Sequence, residues 1–182
     1  IKEGYYTDAY FMRSEEILNG DNYHPRVLMQ VFARDHVVVC GTDEVIALIR
    51  QCAFHPETIE IHSLRDGEEV DEWETVMTIE GDYADFAHLE TLYLGILARQ
   101  SRIATNVRRV VKAANGKPVL FFPARYDIYQ TQESDGYAAL VGGIHGFSTD
   151  ANALAAGGKG LGTIPHALIA SYKGDTVAAT EA

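Results

Sequence analysis

From Asp85 to Asn115 the chain reads DFAHLETLYLGILARQSRIATNVRRVVKAAN, its longest stretch of helical periodicity. Phe86, Leu89, Leu92 or Tyr93, Ile96 and Leu97 make one apolar stripe. Ile103, Val107, Val110 and Val111 make a second. Asn115-Gly116 stops the helix with a pair prone to left-handed backbone, and Pro118 prevents its continuation. Whatever fold the chain adopts must be organised around this helix and must change style after it.

Before the helix the sequence reads as mixed α and β structure. VLMQVFA (Val27 to Ala33) and HVVVCG (His36 to Gly41) are short and rich in β-branched residues, as strands are. Thr42 or Asp43 caps a predicted helix, DEVIALIRQCA, with apolar residues at Val45, Ile46, Leu48 and Ile49. Thr58 to Leu64 and Glu74 to Gly81 alternate apolar with polar residues, which predicts half-buried antiparallel strands.

After Pro118 the pieces become short and alternate. KPVLFFP is a continuous apolar run of the kind buried on both faces in a parallel sheet. Helical pieces are predicted at Glu133–Val141, Ser148–Ala156, Pro165–Ser171 and from Asp175 onward, with a brief strand at Gly160–Thr163. Eight of the 16 glycines fall between Gly136 and Gly162. The pattern is that of the opening βα units of an α/β barrel or a doubly wound sheet. An eight-stranded barrel takes about 200 residues or more. With Ile1 at its start and a helical run at its end, the sequence is expected to be part of a longer protein.

The net charge of −11 argues against a nucleic-acid surface, which needs a basic stripe. The acidity is local: Glu57 to Glu90 holds twelve of the 26 acids, whereas Arg99 to Lys117 holds six of the 15 Lys and Arg. Both blocks read as solvated faces, or as an acidic protein that keeps a cationic pocket for a small anion. No run of membrane-spanning length and no export signal is present, so no membrane partner is expected. Cys40 and Cys52 lack zinc-site spacing and read as buried free thiols, which suits a reducing cytoplasm.

The segment GGIHGFSTDANALAAGGKGLGTIPHALIASY (Gly142 to Tyr172) carries the chemistry. Ser148, Thr149 and Asp150 are preferred N-cap types standing before a helical run, after Gly142, Gly143 and Gly146 have let the backbone turn. Thr163-Ile164-Pro165-His166 repeats the device, with proline at the first helical position, Thr163 or Ile164 as cap and His166 in the first turn. Two helix N-termini at one mouth would make an anion site. GGKGLGT is neither the P-loop nor the dinucleotide fingerprint, and Ser148 lacks the G-x-S-x-G elbow of a hydrolase. His145 and His166 lack H-E-x-x-H spacing, so no side chain is assigned to a metal.

These residues resemble the segment of the nicotinate phosphoribosyltransferase family, among the type II pyridine phosphoribosyltransferases, in which G-G-x-x-x-x-S leads to G-T-x-x-H-[AS]. TDAYF (Thr7 to Phe11) resembles the family's amino-terminal T-D-x-Y element. HLETLYLGILARQSRIAT (His88 to Thr105) resembles its long helix, and FPARYD (Phe122 to Asp127) the arginine-bearing end of its first barrel strand. The resemblance implies an α/β fold in two parts: an α/β sandwich over residues 1–115, then the start of an incomplete α/β barrel over residues 116–182.

The family joins nicotinate to phosphoribosyl pyrophosphate, giving nicotinate mononucleotide and pyrophosphate in NAD salvage. Mg²⁺ accompanies phosphoribosyl pyrophosphate to hold the leaving group, while the protein positions the pyridine and binds anions. By resemblance, Tyr10 would stack on the pyridine, commonly from the partner subunit, which implies a homodimer; otherwise it belongs to an aromatic cluster with Tyr5, Tyr6 and Phe11. Thr163 would hydrogen-bond the nicotinate carboxylate, or serve only as a cap. Arg125 would bind anionic substrate, or pair with Asp127. Ser148 binds substrate or caps its helix. His166 matches the histidine that ATP phosphorylates in those members that couple ATP hydrolysis to turnover, and with Arg125 it forms the catalytic assignment.

Three departures accompany the resemblance. The family often has paired arginines where this chain has Arg125-Tyr126. Quinolinate enzymes carry an arginine where this chain has Glu90, which favours a monoacid. The later barrel strands are missing from the sequence, so this stretch is expected to be inactive alone. The alternatives are a phosphoribosyltransferase for nicotinamide or quinolinate, and a catalytically silent relative that binds a phosphorylated ligand.

Overall fold

The computed structural model describes residues 1–182. Helix α1 (Ala9–Gly20) leads to strands β1 (Arg26–Phe32) and β2 (Val37–Val38), helix α2 (Thr42–Cys52), and strands β3 (Glu60–Ser63), β4 (Glu69–Val70) and β5 (Thr75–Asp82). Helices α3 (Tyr83–Phe86) and α4 (Glu90–Ala113) follow. Beyond them lie β6 (Leu120–Phe121), α5 (Gln132–Gly142), β7 (Gly146–Phe147), α6 (Asp150–Ala153), α7 (His166–Ser171) and α8 (Thr176–Glu181).

The expected alternating strands form a three-stranded antiparallel sheet in the order β1-β5-β3, with Met29 opposite Ile79 and Ile61 opposite Ile79 on the other side. Its buried face meets α2 and the first half of α4: Val45, Ile49, Ile59, Met77, Ile79, Phe86, Leu89, Tyr93 and Leu97 form the largest core cluster. A second cluster, Val107, Ala139, Ile144, Phe147 and Ala153, gathers around the other half of α4. A third joins Val38 and Cys40 to Ala104 and Ala138. One helix thus belongs to cores on both sides of residue 100.

The predicted helix over Asp85–Asn115 is interrupted near its start. Asp82 caps α3 by accepting from the Ala84 N–H at 3.0 Å, residues 87–89 form a tighter 3₁₀ turn, and only then does α4 begin. The Thr7 hydroxyl donates to the His88 carbonyl in that turn, tying the amino-terminal segment to it. The turn lets Phe86, Ala87, His88 and Leu89 all face inward. Asn115 (φ 49°) and Gly116 (φ 81°) end the helix as expected.

Several local expectations need correction. Neither Thr42 nor Asp43 caps α2: Gly41, at φ 99°, precedes it, and Asp66 reaches across to accept the Thr42 N–H at 2.9 Å and its hydroxyl at 2.8 Å. A side chain from another segment therefore fills the role that local reading gave to Thr42. KPVLFFP does supply a parallel strand, β6 pairing with β7, but the pair is two-stranded and Leu120 and Phe122 are about half exposed. With one neighbour, β6 is not enclosed on both faces. Gly160–Thr163 forms no strand, although the Leu161 N–H donates to the Phe147 carbonyl. Both thiols are free; Cys40 is buried, and burial with Asp66 nearby pushes it up to about 12, while Cys52 is only partly covered.

Helices α5 and α6 meet so closely that a Cβ on Gly136 would lie 2.1 Å from the Asn152 carbonyl oxygen. Gly95, on α4, has nothing within 4 Å of the same position. Gly136→Ala should therefore destabilise by roughly 1–3 kcal/mol through backbone displacement, whereas Gly95→Ala should stabilise by up to about 1 kcal/mol through helix propensity. Urea midpoints at unchanged m-value check both. Equal shifts for the two variants would contradict the close packing.

Candidate functional site

Strand β6, helix α5 and strand β7 form a parallel βαβ unit, with Leu120 beside Gly146 and Phe121 beside Phe147. In such units ligands bind outside the carboxyl ends of the strands. Two of the expected residues lie there. After β6 the chain turns tightly, the Pro123 carbonyl accepting the N–H groups of Tyr126 at 2.8 Å and Asp127 at 3.1 Å. This turn presents Arg125 exposed. The Asp127 carboxylate is not its partner: it lies 3.8 Å from Arg99, and Arg125 makes no ion pair. After β7 comes Ser148, whose N–H donates to the Phe121 carbonyl at 3.0 Å.

Ser148 does not cap the next helix. Thr149 does, its hydroxyl oxygen accepting the Asn152 N–H at 3.1 Å. The Ser148 Oγ is buried and has no hydrogen-bond partner. An unpaired buried hydroxyl is costly, and this one follows β7 as the unpaired Arg125 follows β6.

The second half of the glycine-rich segment differs from its expected form. Pro165, not Thr163 or Ile164, is the N-cap of α7, so His166 is the first helical residue and Thr163 lies outside the helix. Neither α6, of four residues, nor α7, of six, is long enough to carry much dipole, so the two paired N-termini do not by themselves make an anion site. Thr163 and His166 are both exposed. Of Gly142, Gly143 and Gly146, only Gly143 takes a positive φ, 101°. The loop at Gly160 instead folds back onto α6: a Cβ there would be 2.9 Å from the Thr149 backbone, and the bare glycine brings its N–H within 2.7 Å of the Asp150 carboxylate. Together with Lys159 at 3.2 Å, that N–H holds Asp150 below the usual carboxylate range.

Behind the strand ends stands a network that the sequence reading missed. Asp135, 1% exposed on α5, accepts two hydrogen bonds from Arg99, at 2.9 and 2.8 Å, and one from Thr131 at 2.8 Å. A lone acid seven residues before Gly142 gives no local sign of burial; its partner lies in the basic block of α4.

Tyr10 is elsewhere. Helix α1 docks at the start of α4 through Thr7 on His88 and through Asp8, which pairs with Thr91 by backbone (3.1 Å) and carboxylate (2.9 Å). Tyr10 is 58% exposed and tilts against buried Phe11 at 4.1 Å between ring centroids, while Tyr5 and Tyr6 form a separate pair. Burial, Asp8 and Glu90 all raise its phenol, so the Glu90 carboxylate acts on the ring's surroundings. Glu90 is itself held above the ordinary carboxylate range by burial, with Tyr83 opposing. Thr91, which anchors α1, and Val107, which shares a cluster with Phe147, are separated by about 24 Å of helix at 1.5 Å per residue. Tyr10 and Ser148 of one chain are therefore not brought together.

Comparison with known proteins follows this geometry. The family described as quinolinate phosphoribosyl transferase, N-terminal domain, matches residues 8–101. A crystal structure of nicotinate-nucleotide pyrophosphorylase from Pyrococcus furiosus is 36% identical with a TM-score of 0.88, over 98% of this chain and 46% of that one. Human nicotinic acid phosphoribosyltransferase is 16% identical with a TM-score of 0.77, over 91% and 40%. The nicotinate-nucleotide pyrophosphorylase from Francisella tularensis is 20% identical with a TM-score of 0.57, over 75% and 50%. The last two likenesses are of fold, and the chain spans about half or less of each of these relatives. By the residues matched and by identity across nearly its whole length, this chain belongs to the type II phosphoribosyltransferase family, whose quinolinate phosphoribosyl transferase N-terminal domain it carries.

Proposed function

We propose that this chain is the amino-terminal part of a nicotinate phosphoribosyltransferase, which joins nicotinate to phosphoribosyl pyrophosphate and releases nicotinate mononucleotide and pyrophosphate in NAD salvage. Residues 1–115 would form the sandwich domain and residues 116–182 the opening of an α/β barrel, a reading supported by the parallel β6-α5-β7 unit. The substrate would lie across the strand ends, where Arg125 has no internal partner and the Ser148 hydroxyl has none either.

In this reading Arg125 binds substrate anion in bidentate fashion, Ser148 donates its unused hydroxyl, and Thr163 takes the nicotinate carboxylate. Mg²⁺ would enter on the pyrophosphate oxygens to neutralise the leaving group. His166, exposed at the first residue of α7, is open to phosphorylation in an ATP-coupled cycle. The exposure of Tyr10 and its distance from the strand ends favour a homodimer in which Tyr10 stacks on the pyridine held by the partner. The free thiols are compatible with a cytoplasmic setting.

Glu90 carries the choice of nicotinate. A partly buried carboxylate beside Tyr10 disfavours the second carboxylate of quinolinate by like-charge repulsion. Quinolinate is the second reading, favoured by the family description and by the name of the Pyrococcus relative. The two are separated by assaying the whole natural protein with phosphoribosyl pyrophosphate, Mg²⁺ and nicotinate, quinolinate or nicotinamide. Nicotinate should give the highest kcat/KM, and Glu90→Arg should move the quinolinate-to-nicotinate ratio upward by about tenfold, the effect of some 1.4 kcal/mol. Preferential quinolinate turnover by the unaltered protein would overturn the nicotinate reading, and no turnover of any pyridine would favour the silent relative.

Two neighbouring residues separate site from scaffold. Ser148→Ala should keep or raise stability, by about 1 kcal/mol as the unpaired buried hydroxyl is removed, while lowering kcat/KM roughly tenfold or more. Thr149→Ala should lose about 1 kcal/mol of stability with the helix cap and change kcat/KM little. Thermal melts and initial rates on both variants check this. The opposite pattern would make Ser148 structural.

A further inference from the structure

Independently of the strand-end site, a cavity lies along α4 at the edge of the antiparallel sheet. It measures about 770 Å³ and is lined by Val31 to Val37, Val76 and one face of α4 from Leu94 to Arg109. That volume is within the range of ligand pockets, about 300–1,000 Å³.

The cavity's chemistry is uneven. Its apolar wall includes Phe32, whose ring is 40% exposed and braced by Trp73 at 5.3 Å. Its polar lining holds three arginines beside Ser101, Thr105 and Asn106. Arg34 comes from the β1–β2 connection, and Arg102 and Arg109 come from α4. None of the three makes an ion pair, whereas Arg99, Arg108 and Lys112 on the same helix pair with Asp135 or Glu69. Residues seven apart lie on one face of a helix, so Arg102 and Arg109 point the same way about 10 Å apart along the axis. The wall between them is fixed: Ser101 and Thr105 accept the Cys40 and Val38 N–H groups at 3.0 and 2.9 Å, leaving those hydroxyls little to offer a ligand. Asp35 and His36 also line the cavity, and His36 is held by Asp71 at 3.0 Å and lies 3.5 Å from Glu69.

In a chain of net charge −11, three unpaired guanidiniums around one cavity are a local reversal of sign. Two of them in line suit a ligand with more than one anionic oxygen group, and the exposed aromatic face of Phe32 suits a flat ring. The geometry points to a second ligand site here, for a nucleoside diphosphate, with the base on Phe32 and the diphosphate between Arg102 and Arg109.

The probe is ADP, titrated calorimetrically into the whole natural protein, with adenosine and inorganic pyrophosphate as half-ligands. ADP should bind saturably and more tightly than either half. The double variant Arg102→Ala, Arg109→Ala should weaken it by roughly tenfold or more, the effect expected of losing charged hydrogen bonds. Its melting temperature should stay within error, because neither side chain has an internal partner. Should the double variant fail to fold, Arg34→Ala on the opposite wall is read instead and should also weaken ADP. No saturable ADP binding, or ADP affinity unchanged by the Arg102, Arg109 and Arg34 variants, would overturn the assignment.

Discussion

The molecule depends on α4. Its 24 residues are one continuous helix, and its buried apolar residues meet different partners, the antiparallel sheet and α2 on one half, α5 and β7 on the other, while Val110 of the second stripe stays 54% exposed. Because each half has its own core, bending the helix would open one of them. The helix therefore fixes how far α1, with Tyr10, stands from the strand ends that carry Arg125 and Ser148. In the proposed reading that fixed distance is why a second subunit is needed.

The charges follow the same helix. Arg99 reaches Asp135 on α5, and Arg108 donates to the carbonyls of Val141 and Gly142 while also meeting Glu69. Asp66 performs a parallel task on the other side, capping α2 and accepting the Tyr137 hydroxyl at 2.8 Å from α5. Burial and that carboxylate push the Tyr137 phenol well up. Both connections lock α5, and with it the parallel strand pair, to the first half of the chain. Asp135 is buried and takes two of its three hydrogen bonds from Arg99, so removing Arg99 would leave its charge without an ionic partner.

Periodic features were legible in the sequence. The alternation over residues 58–64 and 74–81 became β3 and β5, and the Asn115-Gly116 stop became a left-handed helix end. Features set by distant contacts were not. Nothing near Thr42 announces that Asp66 will cap its helix, and nothing near Gly136 announces the Asn152 carbonyl that forbids a side chain there. The glycine-rich segment was read as an anion site from its two helix-start sequences, yet α6 and α7 are too short to make one and Gly160 is required by contact with Thr149. At the candidate site, the strand-end position of Arg125 was implied by the resemblance of FPARYD, and that of Ser148 was read from its place before a helical run. That Thr149 rather than Ser148 is the cap depends on a one-residue difference in where β7 ends, which local propensity does not resolve.

The central claim is that one functional site is assembled from the strand ends of one copy and Tyr10 of another. The most direct measurement is complementation between Tyr10→Ala and Arg125→Ala forms of the whole natural protein, each prepared alone and then co-expressed. Each alone should be nearly inactive. Together, random pairing of copies should restore about one quarter of the unaltered number of complete sites, since half the dimers would be mixed and each would hold one intact site. Activity that stays at the level of the separate variants, with mixed dimers demonstrated by tag exchange, would contradict the account and place Tyr10 outside the site.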